Sequence, residues 1–216
     1  MLEKLLGPRV PSREMARHRA RYLLPTLLLL LASGMLLGST RLPYWRMELQ
    51  APQYPGGLAV TVFVDHTEGD VKEIDGLNHY IGMRPLDEAA RLERELGLEA
   101  IMAMALLVLL ATLLHNRLAV LMTVPGLLFP AIFLADLGWW LWYFGTHLDP
   151  HAPLSSSIKP FVPPVLGAGK VGQFQTVATP ETGLWLAMLA SLVMVTGLYF
   201  HWRAYRPLCR RQENPA

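Results

Sequence analysis

Four long apolar stretches constrain this 216-residue chain more than any other feature of its sequence. A helix rises about 1.5 Å per residue, so roughly 20 apolar residues are needed to cross the hydrocarbon core of a bilayer. The stretches run from Leu23 to Ser39, from about Leu98 to Leu114, from Leu118 to Phe144 and from Leu184 to Trp202. With 52% apolar and only 17% charged residues, the composition is typical of an integral membrane protein and excludes a disordered or fibrous chain.

We therefore predict a mainly α, integral membrane fold, in which a four-helix transmembrane bundle carries a small extracytoplasmic α+β cap. The predicted segments are a basic N-terminus (1–22), a first span (23–40), the cap with an amphipathic helix (41–98), a second span (98–114), a turn (115–117), a third span (118–144), an extracytoplasmic loop (145–182), a fourth span (183–202) and a basic tail (203–216). The three-residue turn makes the second and third spans a tight antiparallel hairpin.

The distribution of basic residues predicts the orientation. Eleven of the 19 Lys and Arg residues lie in residues 1–22, in the turn at 115–117 and in the tail after Trp202. Because short loops rich in Lys and Arg remain in the cytoplasm, both termini are expected there, with the chain in the cytoplasmic (inner) membrane. The first span is expected to be an uncleaved signal anchor. A cleaved signal peptide is the alternative, because Gly38 and Ser39 are small enough for a cleavage site.

The two segments outside the cytoplasm are expected to fold against each other. Alternation predicts strands at Tyr44–Gln50 and Leu58–Asp65 around a turn at 52–57. From Pro85 the pattern becomes helical and amphipathic, so a helix is expected at the membrane surface until the chain turns inward at Gly97. Residues 145–182 are expected to form a long ordered loop that packs on the cap.

No catalytic motif is present in the sequence. Cys209 is the only cysteine, which excludes an intrachain disulfide, a CxxC redox pair, a thiolate zinc site and a covalent haem attachment. Phosphate-loop, dinucleotide-binding, zinc-protease and nucleophile-elbow patterns are absent as well. The sequence therefore favours a role other than catalysis.

Two polar clusters offer ligands for a metal. In the first, residues 78–83, His79 supplies an imidazole and Met83 a soft thioether, which together favour Cu(I). The alternative for this segment is structural, with His79 bonded to a backbone carbonyl and Met83 filling a gap in the core.

The second polar cluster is His147-Leu148-Asp149-Pro150-His151, which follows the third span. Pro150 disfavours a helix, so His147, Asp149 and His151 are expected in a turn. They could converge with His66 or His79 on a divalent cation or copper, and the alternative is a solvated polar loop.

Three further polar residues fall in or beside the predicted spans. Asp136 lies within the third span, where a carboxylate either bonds to a neighbouring helix or serves a proton or cation relay. His115 and His201 lie near the same ends of the second and fourth spans, as ligands of a haem b between two helices would. The alternative for both histidines is contact with lipid headgroups.

Three stretches together resemble small multi-span membrane proteins encoded with nitrous-oxide reductase and its copper-maturation genes. The stretches are Ala51-Pro52-Gln53-Tyr54-Pro55 with Gly57-Leu58, then Leu77-Asn78-His79-Tyr80-Ile81-Gly82-Met83, then Lys159-Pro160-Phe161 with Pro163-Pro164-Val165-Leu166-Gly167 and Gly169-Lys170. The resemblance implies an accessory role in the cell envelope, in copper delivery to a periplasmic reductase or in its assembly or electron supply. It adds weight to copper at His79 and Met83. Partner contacts are expected from the cap residues Asn78, Tyr80, Tyr54 and Phe161.

Two functional hypotheses follow from the sequence. The leading one is a non-enzymatic envelope accessory protein that binds copper or docks a periplasmic copper enzyme. The alternative is a membrane redox subunit that binds haem b or quinol through His115 and His201 or through the face of Asp136 and Tyr143. A transporter is less favoured, because no internal repeat is present.

Overall fold

The structure is a computed structural model that describes residues 17–51, 53–171 and 174–213. Most of the predicted basic N-terminus, Pro52 of the first resembling stretch and the end of the tail lie outside the described residues, as do the side chains of residues 209–213, Cys209 among them.

Five α-helices and five strands make up the described chain. In chain order they are α1 (Arg19–Ser39), β1 (Trp45–Ala51), β2 (Tyr54–Val62), β3 (Thr67–Gly69), α2 (Val71–Ile81), α3 (Arg91–Ala111), α4 (Arg117–Thr146), β4 (Gly167–Val171), β5 (Phe174–Pro180) and α5 (Thr182–Glu213). A short 3₁₀ turn at Leu86–Glu88 precedes α3. The fold is therefore mostly helical with a small antiparallel sheet.

The chain divides into two compact units. The helical unit consists of the described parts of Met1–Ser39, Glu99–Pro130 and Leu186–Ala216. The sheet unit consists of Thr40–Leu98 and Ala131–Trp185. Helices α3, α4 and α5 are each divided between the two units, with one part in the helical unit and the other in the sheet unit.

Small residues let the four stretches of the helical unit pack closely. A Cβ atom on Gly126 of α4 would lie 3.4 Å from side-chain atoms of Leu36 in α1, Val108 in α3 and Met194 in α5. The Ser33 hydroxyl of α1 donates a hydrogen bond of 3.1 Å to the Ala105 carbonyl oxygen of α3. Close backbone approach and hydroxyl bonds of this kind hold helices together where lipid removes the hydrophobic drive.

Three helices in the described part of the chain are long and apolar enough to cross a membrane. They are α1, α4 and the Thr182–Leu208 part of α5. Their outward side chains are apolar and exposed, at 59% for Leu27, 65% for Leu121 and 62% for Leu192. Because such surfaces are unfavourable in water, these helices indicate a lipid bilayer environment.

The second predicted span lies in α3, which is not one of these three helices. Five of its first nine residues are charged: Arg91, Glu93, Arg94, Glu95 and Glu99. The predicted inward turn at Gly97 is wrong, because α3 runs without a break from Arg91 to Ala111. Gly97 instead allows close packing, since a Cβ there would overlap the Val64 carbonyl oxygen.

The sheet unit contains one five-stranded antiparallel sheet with the order β3-β2-β1-β5-β4. The central strand β1 pairs Met47 with Val60 of β2 on one side and with Ala178 of β5 on the other. Both segments predicted to lie outside the cytoplasm thus contribute to a single sheet.

Alternation along the strands gives the sheet one apolar and one polar face. On β1, Trp45, Met47 and Leu49 are buried, whereas Arg46, Glu48 and Gln50 lie on the opposite face. The buried face packs against α4, through residues such as Phe133, Leu137 and Leu141. A second apolar cluster joins Met83, Phe144 and Phe174.

The sequence predictions for this unit are confirmed in part. The strand predicted at 44–50 is β1, and β2 begins at Tyr54, four residues before its predicted start. Helix α2 was not predicted. The expectation that 145–182 is a loop throughout is wrong, because its last third forms β4 and β5.

A proline-rich strap, residues 158–166, runs along α4 in the sheet unit. The Phe161 N–H donates a 2.9 Å hydrogen bond to the Gly145 carbonyl oxygen. A Cβ on Gly145 would overlap the Phe161 backbone, and one on Gly138 would lie 3.2 Å from Val165. Two glycines seven residues apart therefore give α4 a groove in which the strap lies.

Candidate functional site

The motif 78–83 forms the end of α2 and the turn that follows it. The backbone N–H groups of Gly82 and Met83 both donate to the Asn78 carbonyl oxygen, the second over 2.9 Å. Gly82 adopts a left-handed conformation with φ of 80°, which glycine tolerates far better than other residues. The helix therefore ends at Ile81, and Met83 leaves it in a new direction.

This turn separates the two residues predicted to share a copper ion. Met83 is buried in the apolar cluster with Phe144 and Phe174, whereas His79 is exposed. In a continuous helix, residues four apart would share one face. The left-handed Gly82 removes that relationship, so the thioether of Met83 serves the core.

The second polar cluster packs directly on this turn. The Asp149 N–H donates a 2.8 Å hydrogen bond to the Gly82 carbonyl oxygen, and the Leu154 N–H donates one of 3.0 Å to the Tyr80 carbonyl oxygen. A Cβ on Gly82 would lie 2.7 Å from the Asp149 carbonyl oxygen. The structure thus brings together the segments 78–83 and 149–154, which the sequence separates by about 70 residues.

A small exposed surface results, which we call the His79–Tyr80 face. Its members are His79, Tyr80, Asp149, His151 and Leu154. Tyr80 is 55% exposed and Leu154 is 39% exposed, so an aromatic and an aliphatic group lie beside two imidazoles and one carboxylate. The rings of His79 and Tyr80 pack edge to face, with centroids 6.0 Å apart.

Asp149 organises the polar side of this face. One of its carboxylate oxygens accepts hydrogen bonds from the His151 N–H at 2.8 Å and from His151 Nδ1 at 3.2 Å. The backbone hydrogen bond from His151 lowers the pKa of Asp149, with further contributions from the imidazoles of His151 and His79. Asp149 is thus ionised at neutral pH with a histidine on either side.

The other predicted metal ligands lie in separate settings. His66 is bonded to Asp65 at 2.6 Å and to Glu68 at 3.3 Å in the turn between β2 and β3. Burial opposes protonation of His66, but the Asp65 and Glu68 carboxylates outweigh it and raise its pKa. Nδ1 of His147 lies 3.0 Å from the Tyr143 carbonyl oxygen, at the end of α4. Within residues 17–51, 53–171 and 174–213, no three acidic, histidine or cysteine side chains form a ready metal cluster.

The remaining cap residues have structural surroundings. Asn78 is buried, and Tyr54 and Phe161 pack partly buried against the Met83 cluster. Asp136 is half-buried in α4 and lies close enough to Glu93 of α3 for the two carboxylates to interact electrostatically.

His115 and His201 come together in the helical unit, with ring centroids 6.1 Å apart. Nε2 of His201 donates a 2.8 Å hydrogen bond to the Leu114 carbonyl oxygen, so that nitrogen has no lone pair to offer an iron. Tyr205 stacks on His115 at 4.1 Å and contacts His201 at 4.7 Å. The contacts described for this pair are thus ring packing with Tyr205 and the bond from His201 to Leu114, and a haem b between the two histidines stays a prediction.

Sequence reasoning missed Leu154 and Tyr205. Leu154 lies in a serine-rich stretch with no regular pattern, and only the contact with Tyr80 shows its place. Tyr205 falls beyond the fourth apolar stretch, although an aromatic residue beside arginines is a usual signal of a membrane interface.

Comparisons with protein-family models, with curated proteins and with solved structures find no match to this chain.

Proposed function

We propose that this chain is a membrane-anchored accessory protein that docks an extracytoplasmic partner through the His79–Tyr80 face. The proposal rests on one observation, which is that residues 78–83 include both structural and exposed side chains. Asn78, Gly82 and Met83 build the turn and the core, which leaves His79 and Tyr80 exposed in the last turn of α2. Aromatic residues presented on a fixed surface are frequent anchors in protein interfaces.

The proposed topology has four spans with both termini in the cytoplasm. The span that is not among the three long apolar helices is the second in chain order, which consists of the part of α3 from Glu99 onward and the residues up to 114. Its Ile101, Ala105 and Val108 are fully buried within the helical unit, which supports placing this stretch among the spanning helices. The sheet unit would then lie outside the cytoplasm, as the positive-inside rule requires.

Cysteine labelling in intact cells tests this topology. In a Cys209→Ser background, a membrane-impermeant maleimide should label Arg91→Cys without permeabilisation and Arg117→Cys only after it, because these two exposed positions flank the second span. Labelling of both positions from the same side would contradict four spans.

The proposed partner is a periplasmic copper enzyme of the nitrous-oxide reductase type. The support is the resemblance of residues 77–83 and of the strap to proteins encoded with such reductases. The exposed imidazoles and the tyrosine fit docking of a folded enzyme during its maturation or electron supply. Docking of this kind requires no catalysis by the chain itself.

Binding of the purified reductase to the detergent-solubilised chain tests the proposal. His79→Ala/Tyr80→Ala should weaken binding at least about tenfold, the usual effect of removing an interface anchor. Lys72→Ala/Glu73→Ala, at the exposed start of the same helix, is the matched control and should bind as the wild type does. Equal binding by all three proteins would contradict docking at this face.

Copper binding is a second candidate function, for one specific reason. Asp149 is bonded to His151 and interacts electrostatically with the imidazole of His79. Among the described residues these three side chains form no ready cluster, so copper would have to draw them together. The nitrogen and oxygen ligands of this set suit Cu(II), whereas the pair of His79 and Met83 cannot form because Met83 is buried. Copper analysis after dialysis distinguishes the two ligand sets. If His79, Asp149 and His151 bind the ion, His151→Ala should lower the copper content and Met83→Leu should not.

A further inference from the structure

One end of the helical unit concentrates exposed arginines contributed by three separate elements. Arg19 and Arg21 belong to α1, Arg117 begins α4, and Arg203 and Arg206 belong to α5. All five side chains are exposed, and none of them is paired with a carboxylate among the described residues.

Two buried tyrosine rings and the partly buried ring of His115 hold these elements together. The ring of Tyr22 in α1 contacts that of Tyr205 in α5, with centroids 5.6 Å apart. Tyr205 in turn stacks on His115, which lies two residues before Arg117, at 4.1 Å. The three elements that carry the arginines therefore meet, and like charges gather at their junction.

Two further contacts fix the positions of the arginines. A terminal nitrogen of Arg21 donates a 3.0 Å hydrogen bond to the Arg203 carbonyl oxygen, which joins the first turn of α1 to α5. The Arg206 guanidinium lies 4.6 Å from the ring centroid of Trp202, an aromatic residue that is 54% exposed. Tryptophan at such a position is typical of the headgroup level of a bilayer.

We propose that this cationic end binds the phosphodiester headgroup of an anionic phospholipid. A cluster of arginines without carboxylate partners is complementary to a phosphate, which guanidinium groups bind through paired hydrogen bonds. The neighbouring Leu23, Leu24 and Leu27 are 40–59% exposed and supply an apolar surface for the acyl chains. A soluble phosphate would make no use of that apolar surface. This inference does not depend on the docking function proposed above.

Native mass spectrometry of the full chain tests the proposal. The protein is released from detergent in the presence of equal amounts of phosphatidylglycerol and phosphatidylcholine with identical acyl chains. The wild type should retain one phosphatidylglycerol with a preference of about tenfold or more. Arg21→Gln/Arg206→Gln should lose most of that preference.

Matched variants separate a site from a general effect of charge. Arg91→Gln/Lys170→Gln removes the same charge from exposed positions of the sheet unit and should keep the wild-type preference. Arg21→Lys/Arg206→Lys preserves the charge but not the paired hydrogen bonds, so its preference for phosphatidylglycerol should be weaker than that of the wild type but not lost. These two variants also decide the question if the glutamine variant fails to fold.

Three results would overturn the proposal. The first is equal retention of the two lipids by the wild type. The second is an equal loss of preference in the sheet-unit control. The third is displacement of the lipid by millimolar glycerol phosphate, which would assign the arginines to a free phosphate.

Discussion

The Asp149 N–H donates a hydrogen bond to the Gly82 carbonyl oxygen over 2.8 Å, which fastens the loop after α4 to the end of α2. This contact joins two polar segments that are far apart in the sequence. It also explains why a glycine with φ of 80° is needed at that position, since any side chain would meet the backbone of Asp149.

Gly82→Ala should lower the free energy of unfolding by at least about 2 kcal/mol. The left-handed conformation disfavours alanine by roughly 1–2 kcal/mol, and the overlap with Asp149 adds to this. Gly76→Ala in the middle of α2 is the control, because no atom lies within 4 Å of its Cβ. The control should be neutral or stabilising by up to about 1 kcal/mol. Thermal unfolding in detergent, followed by circular dichroism, measures both.

Gly126→Leu should destabilise the helical unit by about 2 kcal/mol or more. Its added atoms would overlap Leu36, Val108 and Met194, which approach from three other helices. Gly34→Leu adds the same group where nothing lies within 4 Å and should leave stability nearly unchanged. Equal unfolding midpoints for the two variants would show that the four stretches do not converge at Gly126.

Two glycines under the proline-rich strap should respond differently to the same substitution. Gly145→Ala places a methyl group against the Phe161 backbone, which cannot move without breaking the 2.9 Å hydrogen bond. Gly138→Ala meets only the Val165 side chain at 3.2 Å, which can rotate away. We expect a loss of about 2 kcal/mol or more for the first and less than about 1 kcal/mol for the second. Limited proteolysis of the strap provides the readout, and equal cleavage of both variants would contradict this arrangement.

The helical unit should become less stable as the pH is lowered from about 6.5 towards about 4. Burial and the nearby His201 lower the pKa of His115 from 6.5 to about 4. Between these two values the unfolded chain binds more protons than the folded chain, so the free energy of unfolding decreases as the pH falls. His115 faces His201 and Tyr205 and lies two residues from Arg117.

Because the ring of His115 is partly exposed to solvent, we expect a loss of about 1–2 kcal/mol across this window. Chemical unfolding at about pH 7.5, 5.5 and 4.5 measures this loss of unfolding free energy. His115→Gln should flatten the profile, and an unchanged slope in that variant would assign the pH dependence to other groups.

The sequence predicted the parts of the fold that depend on local composition. An apolar run such as Leu23–Ser39 identifies a spanning helix by its length alone, and α1 lies there. Strand β1 was also predicted, since its buried and exposed residues alternate. By contrast, β5 pairs with β1 across more than 120 residues, and no local signal in the glycine-containing segment before it marks that pairing.

The candidate site could be predicted only as two separate clusters. The residue types at 78–83 and 147–151 pointed to polar chemistry, and the structure brings parts of both together. The left-handed turn at Gly82 could not be predicted from a single sequence, and it directs Met83 to the core and away from His79. His115 and His201 lie near each other, but the bond from His201 to the Leu114 carbonyl oxygen depends on the packed turn and has no signal in the sequence.

Site-specific photo-crosslinking in intact cells tests docking of the reductase on the His79–Tyr80 face. A photoreactive amino acid in place of Tyr80 is compared with one in place of Lys72, on the same helix, in cells that produce the copper reductase. We expect a covalent adduct with the reductase from position 80 and little or none from position 72. A folded, membrane-inserted chain that gives no adduct from position 80, or equal adducts from both positions, would contradict docking through the His79–Tyr80 face.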